Sequence, residues 1–445
     1  MSIRFLANPF VRNAFKLSSS NALVYLLPIV VTPILSRIYS TEDFSEWGVF
    51  SSTFLIINSV IFLSYDNAIV KCEKEADIPV LFRLCLLLAM CNVILVFLIF
   101  KVGQHFHLSY FEAFPSLFLL ILLLCIAPLV QLLYNVSNRY EAYSLMSYAS
   151  IIQGAAQAVF RILCNGAKYF NGLIVGSFLA YLSVCLTYIY GLRHHLATIF
   201  MAKMKWQHLT DVMAKYKKFP LFDAPGMLLE TAIGNMSLIL LSLYFAKDVV
   251  GCYSMIYQLI LLPIIIVGSA VSKVYYKDIS VAGSLQDIST ITKKVVKISF
   301  VLSLLPILLL GCGGDYVLTW FLGEKWEAAG TLALCMSAIS VPIILSGSLL
   351  PIFRRLDRQG TKFFFDLLCF IFGIGGLYAA CLLQIDVYRS VLIYALLYSF
   401  VRYILFCTIV HTVKMKYSKT EALLFWGSIV CCNALVFYRL LFRLN

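Results

Sequence analysis

Apolar residues gather into thirteen long runs along the chain, at about 17–38, 45–66, 81–101, 116–136, 147–165, 169–191, 221–245, 252–273, 297–316, 328–351, 363–384, 388–411 and 421–441. The runs are continuous rather than alternating, which predicts helices and argues against the period-two pattern of barrel strands. About 20 consecutive apolar residues suffice for a helix to cross a bilayer. The pattern therefore predicts an all-α polytopic membrane protein. No polar segment exceeds about 30 residues, too few for a water-soluble catalytic domain.

Two of the longer polar segments carry apolar residues at helical spacing. In 192–220 these are Leu209, Val212, Met213 and Tyr216; in 274–296 they are Leu285, Ile288, Ile291 and Val295, with Ser284 and Asp287 in capping-box positions. Both predict short amphipathic helices on the membrane interface. The first divides the chain. Residues 1–191 form an N-terminal lobe of six spans, 192–220 a linker, 221–411 a C-terminal lobe of six spans, and 412–445 an extra hydrophobic segment that makes a thirteenth helix. A faint repeat supports two lobes. LSRIYSTEDFSEWG (35–48) and LSLYFAKDVVG (241–251) share Leu-Ser, Tyr, Asp and Gly in order, at the same place in each half. An even number of spans between copies predicts a parallel repeat about an axis along the membrane normal.

Composition agrees with this architecture. The chain has 445 residues, 61% hydrophobic and 13% charged, with a mean hydropathy of +0.90. Soluble domains average about 25% charged residues, so a soluble enzyme, a disordered chain and a disulfide scaffold are all excluded. The net charge of +13 reads as topology. With the N-terminus cytoplasmic, 24 of the 35 basic residues fall on the inner side, beginning with Arg4, Arg12 and Lys16, and 8 on the outer. No nucleic-acid partner is expected. The fourteen cysteines contain no Cys-x-x-Cys and, Cys72 apart, sit in or beside apolar runs, as small packing residues do. The run 17–38 lacks an Ala-x-Ala site and is expected to remain as the first span. Walker, zinc-protease and nucleophile-elbow motifs are missing, and His105, His107, His194 and His195 lack further ligands. Neither a metal, a cofactor nor an enzymatic activity is expected.

Polar side chains within the runs are costly in hydrocarbon and so carry information. Gln131 and Asn135, with Arg139 beyond them, recur every four residues. So do Gln153, Gln157, Arg161 and Asn165, and likewise Tyr394, Tyr398 and Arg402. Four-residue steps stay near one helix face. Such stripes either line a polar cavity or join helices by hydrogen bonds. Arg161 and Arg402 fit a cavity that receives phosphate, whose oxygens match guanidinium donors in pairs. Among the acids, Glu230, Asp223 and Asp66 are candidates for holding a coupling H⁺ or Na⁺. An ion pair or snorkelling is the alternative for Asp66, Asp223 and Asp366.

Several stretches resemble the bacterial polysaccharide transporter family, the O-antigen (Wzx-type) flippases of the MATE-like (MOP) superfamily. Residues 216–276 carry Tyr216, Lys218-Phe219-Pro220, Val250-Gly251-x-Tyr253, Pro263, Gly268 and Val274-Tyr275-Tyr276. Residues 32–50 (TPILSRIYSTEDFSEWGVF) look like the family's first outer loop, and Tyr65–Val70 its second-span exit. Leu322-Gly323-Glu324-Lys325-Trp326 with Ala329-Gly330 looks like the loop before its tenth span. Departures are Ser45-Glu46-Trp47, the acids Asp223 and Glu230, and the thirteenth segment beyond the usual twelve.

The resemblance implies a V of two six-helix lobes around a central cavity in the bacterial inner membrane. It implies flipping of an undecaprenyl-diphosphate-linked oligosaccharide by alternating access, coupled to H⁺ or Na⁺. On that reading Arg161 and Arg402 engage the diphosphate-sugar, Gln131, Asn135, Gln153 and Gln157 contact sugar hydroxyls, and Tyr394 and Tyr398 stack on sugar faces. Glu230, with Asp223 and Asp66, serves coupling. Partners would be the lipid-linked oligosaccharide, membrane lipids, a polysaccharide polymerase and a chain-length regulator. Alternatives are a MATE-type cation or drug antiporter, a flippase for lipid-linked peptidoglycan precursor, and a membrane-embedded glycan polymerase or ligase. Outer loops of about 6–14 residues argue against the last.

Overall fold

The computed structural model describes residues 27 and 30–444, apart from 73, 167–168, 202–205 and 416–417. Arg4, Arg12, Lys16, most of the predicted first span 17–38, Lys168, Lys203, Lys205 and Lys416 lie outside the described residues. Every regular element among the described residues is a helix. Two compact units divide the chain, Met1–Thr231 and Ala232–Asn445.

The first unit contains α1 (30–38), α2 (Thr41–Val60), α3 (Tyr65–Lys71), α4 (Asp77–His105), the short α5 (Ser109–Glu112), α6 (Leu117–Arg139), α7 (Tyr143–Leu163) and α8 (Gly172–Gly191). The linker helices α9 (Arg193–Met201) and α10 (Trp206–Lys215) follow, and then the start of α11 (Ala224–Tyr244). Ser40 opens α2 with a capping box: its hydroxyl accepts from the Asp43 N–H, and the Asp43 carboxylate accepts from the Ser40 N–H. The predicted run 45–66 is not one straight helix. α2 and α3 meet at 56°, around Leu63 (φ 49°) and Ser64 (φ 61°), both left-handed. Freed backbone groups at such a break need new partners in a membrane; the Asn92 side-chain amide donates to the Ile61 carbonyl at 3.0 Å.

The second unit holds the rest of α11, α12 (Lys247–Ile256), α13 (Leu262–Val281), α14 (Leu285–Leu309), α15 (Asp315–Leu322), α16 (Glu327–Ser337), α17 (Ser340–Leu349), the short α18 (Pro351–Arg355), α19 (Gln359–Cys369), α20 (Gly375–Leu382), α21 (Val387–Thr412) and α22 (Lys419–Leu444). Here the expected interfacial helix over 274–296 is corrected. α13 runs on to Val281, α14 begins at Leu285, and only three residues separate them. The Ser284–Asp287 capping box does form, but it starts a 25-residue helix. The polar segment is thus two helices prolonged beyond their apolar parts, with Ile288, Thr292, Val295 and Val296 buried on one face. The run 328–351 also bends, by 50°, between α16 and α17.

Eight helices among the described residues are long and apolar enough to cross a membrane, or ten if each bent pair is one span. The chain is a multi-pass membrane protein. Two further predicted runs fall on helices that miss this criterion. α7 carries Gln153, Gln157 and Arg161, and α13 carries Lys273, Lys277 and Asp278, which dilute their apolar content. The internal repeat corresponds to one local structure in both units. A helix ends, two residues break it (39–40 and 245–246), and a new helix starts with an acid in its first turn and a buried glycine, Gly48 or Gly251.

Candidate functional site

In the first unit, α6 presents Gln131 and Asn135 one turn apart toward Asp66 at the start of α3. The Asp66 carboxylate is 2% exposed. It accepts from Gln131 Nε2 at 2.8 Å and from Asn135 Nδ2 at 3.0 Å. Asn58 of α2 extends the chain, donating from Nδ2 to Gln131 Oε1 at 3.2 Å. The structure therefore joins two residues expected at the sugar with one expected at the coupling ion. Among the described residues, Asp66 has no cationic partner; amides alone surround its charge. The cluster lies just beyond the left-handed break at Leu63–Ser64. Sequence reading overlooked Asn58, although a lone amide within an apolar run is the signal that singled out Gln131.

Arg161 lies in the last turn of α7, where a positive charge suits the helix dipole. It is 7% exposed. Its Nη2 donates to Ser177 Oγ of α8 at 2.9 Å, and its guanidinium carbon lies 4.6 Å from the centre of the Trp47 ring. The Tyr39 hydroxyl donates to its carbonyl at 2.6 Å. Nε has no hydrogen-bond partner. Close packing of α7 on α8 depends on Gly176, where a Cβ would come within 2.7 Å of Arg161 N. Trp47 and Ser177 were not legible as partners, because 114 and 16 residues separate them from Arg161 and nothing in periodicity links the three.

In the second unit, Tyr394, Tyr398 and Arg402 share one face of α21, as expected. Arg402 is half-buried. Its Nε donates to the Tyr398 hydroxyl at 3.0 Å, and its guanidinium carbon lies 5.2 Å from that ring's centre. The two tyrosine rings are 6.0 Å apart and buried, packed near Gly373 in the turn between α19 and α20. Asp366 is buried and ion-paired with Lys362 at 2.8 Å. Neither Arg161 nor Arg402 pairs with a carboxylate among the described residues.

The remaining candidates are not gathered into these clusters. Gln153 and Gln157 are half-buried on α7. Asp223 and Glu230 are exposed at and after the start of α11. Between them Met227 reaches the start of α3, where its sulfur accepts from Ser64 Oγ at 3.4 Å and Asn67 Nδ2 at 3.8 Å, two residues before and one after Asp66.

The linker helix α10 is also anchored to the first unit. Asp77, at the start of α4, accepts from Lys215 at 2.7 Å and from the Tyr216 hydroxyl at 3.2 Å, and meets His208 Nε2 at 3.3 Å. The hydrogen bond to Asp77 raises the Lys215 ammonium above its ordinary range, whereas burial is the main cause raising the Tyr216 hydroxyl. Leu209 and Val212 are buried beneath α10 as their spacing predicts, while Met213 is exposed.

The fold of these helices is shared with solved membrane transporters and a lipid flippase. An inward-facing multidrug resistance MATE family transporter of that superfamily superposes with a TM-score of 0.68 at 11% identity, over 88% of this chain and 94% of its own. Lipid II flippase MurJ, in an inward closed conformation, gives 0.68 at 11% identity, over 96% and 91%. A MOP superfamily transporter from Pyrococcus furiosus gives 0.56 at 12%, over 91% and 95%. Among curated proteins, none matches the sequence. Residues 10–276 match the family described as "Polysaccharide biosynthesis protein", and the chain belongs to that family.

Proposed function

We propose that the protein flips a polyprenyl-diphosphate-linked oligosaccharide, of the undecaprenyl O-antigen or capsule repeat-unit type, across the bacterial inner membrane. It does so by alternating access, with the N-terminus cytoplasmic, and performs no chemistry on the glycan. The observation that carries this reading is the pair of arginines. In a member of a polysaccharide family, Arg161 is buried and Arg402 half-buried, yet neither forms an ion pair with a carboxylate among the described residues. A guanidinium without a direct ion pair is costly in such surroundings, and its forked donors match phosphate oxygens in geometry and charge. A cation or drug substrate would gain nothing from them.

Tyr394 and Tyr398 flank Arg402 and supply aromatic faces; Gln131, Asn135, Gln153 and Gln157 supply amides for hydroxyl groups. Asp66 is the best supported of the three coupling candidates, because its carboxylate is buried among neutral donors. H⁺ or Na⁺ is the coupling ion, with Glu230 and Asp223 as secondary positions. A polymerase and a chain-length regulator would act on the delivered units. Lipid-linked peptidoglycan precursor is the second reading, favoured by the fold shared with Lipid II flippase MurJ.

Replacement of Arg161 or Arg402 by Ala is expected to abolish surface glycan in a complementation assay, with protein levels in the membrane unchanged. Full export by both variants contradicts the assignment.

A further inference from the structure

The thirteenth helix is bound to the second unit in a way that gives it a task. α14 and α15 form one apolar stretch, Leu285–Leu322, interrupted by a wide π-type turn over Leu310–Gly314. Within that turn Gly313 has φ 115°, a conformation from which residues with a Cβ are largely excluded. α22 lies alongside this break. A Cβ on Gly311 would fall 2.8 Å from Leu435, and one on Gly313 would fall 3.2 Å from Arg439 Nη1. Arg439 donates to the Gly311 carbonyl at 3.4 Å, a carbonyl at the break.

Asp315, the first residue beyond the break, is fully buried. It pairs with Arg439 at 2.8 Å and with Arg443 at 3.3 Å. Both guanidinium groups also lie over the Tyr316 ring, at 5.1 and 4.6 Å from its centre, and Arg443 reaches Glu327 at 3.2 Å. At the other end of α22, Glu421 pairs with Lys293 at 2.8 Å and Lys297 at 3.5 Å. The helices therefore run parallel. Lys293 to Asp315 on one and Glu421 to Arg443 on the other each span 22 positions. At about 1.5 Å per residue this is about 33 Å, close to the roughly 30 Å of a bilayer's hydrocarbon core. Charge pairs thus fasten the two helices at both ends of an apolar stretch of membrane length.

We propose that α22 is a splint. It holds the path of Leu285–Leu322 broken at Gly313, with Asp315, Arg439 and Arg443 as the latch, and so fixes the shape of the second unit during transport. This goes beyond the flippase reading and does not depend on the substrate. Removing one partner of a buried charge pair leaves an uncompensated charge and is strongly destabilising, so releasing the latch frees the break.

The test is a distance across the break in the full chain, reconstituted in lipid nanodiscs. Spin labels are carried on bioorthogonal amino acids at Leu305 and Val317, both exposed, leaving the native cysteines untouched. Pulsed electron spin resonance is expected to show one narrow distance in the native protein. In Arg439→Gln/Arg443→Gln, and equally in Asp315→Asn, the distribution is expected to shift and broaden. Arg439→Lys/Arg443→Lys keeps both charges without the forked donors and is expected to restore most of the narrow component. Distributions superposable on the native one in the glutamine and asparagine variants overturn the proposal. Should the glutamine variant fail to accumulate, the lysine variant decides: a native distance supports the latch, and accumulation with a displaced distance overturns it. Export is not the readout, so failure here leaves the flippase reading standing.

Discussion

At the scale of single residues, the charges within apolar runs fall into two kinds. Asp366 and Asp315 are neutralised by Lys362, Arg439 and Arg443 and are accounted for as structure. Asp66, Arg161 and Arg402 are held by amides, hydroxyls and aromatic rings. The proposed function assigns these three to the substrate and the coupling ion. Asp66→Ala would strand the Gln131 and Asn135 donors, and leaving a buried donor unmade costs about 1–3 kcal/mol; a lower unfolding temperature in detergent checks this. Asp66→Asn keeps an acceptor of the same shape. It is expected to unfold close to the native temperature while transport loses its dependence on an imposed H⁺ or Na⁺ gradient. Retained gradient dependence removes Asp66 from the coupling role. The stripe of Gln131 and Asn135 was legible in the sequence because four-residue spacing determines a helix face. Their acceptor was not, because Asp66 lies 65 and 69 residues away and pairing across helices leaves no periodic trace.

At the scale of elements, the apolar runs located the helices but not their breaks. α2–α3, α14–α15 and α16–α17 are each one run in the sequence and two helices in the structure. Hydropathy averages over a break, and left-handed residues such as Leu63 and Ser64 carry no signature, since neither is glycine. The capping box at Ser284 was legible but misread: such a box marks where a helix starts, not how far it goes. Two substitutions test the packing of elements. Gly176→Ala pushes a methyl into the Arg161 backbone and is expected to destabilise the α7–α8 pair by about 1–3 kcal/mol, as overpacking does, read as lowered thermal stability. Asp77→Ala removes the shared acceptor of Lys215 and Tyr216 and is expected to expose the 192–220 linker to protease while the spans stay intact. The sign for Lys215 is definite. Its ammonium is raised in the folded state, so its contribution is fully present at neutral pH and is lost only as pH rises through that raised value.

At the scale of the whole molecule, composition and charge distribution made the membrane class legible, and weak motifs in order pointed to the family that the match over residues 10–276 establishes. The chain divides into two compact units between Thr231 and Ala232, and its fold is shared with MATE transporters and a lipid flippase. The thirteenth run appeared in the sequence as an appendage; the structure fastens it at both ends. Its role was illegible because the ion pairs that define it join positions 116 to 128 residues apart. The substrate has to be established by transport itself.

The most direct measurement is transbilayer movement in vesicles. Purified protein is reconstituted into liposomes with a fluorescent undecaprenyl-diphosphate oligosaccharide, and a membrane-impermeant reagent reports how much lies in the outer leaflet over time. The account expects exchange between leaflets well above protein-free vesicles, lost in Arg161→Ala and Arg402→Ala. Exchange no faster than in empty liposomes, from folded protein under an imposed H⁺ or Na⁺ gradient, contradicts it.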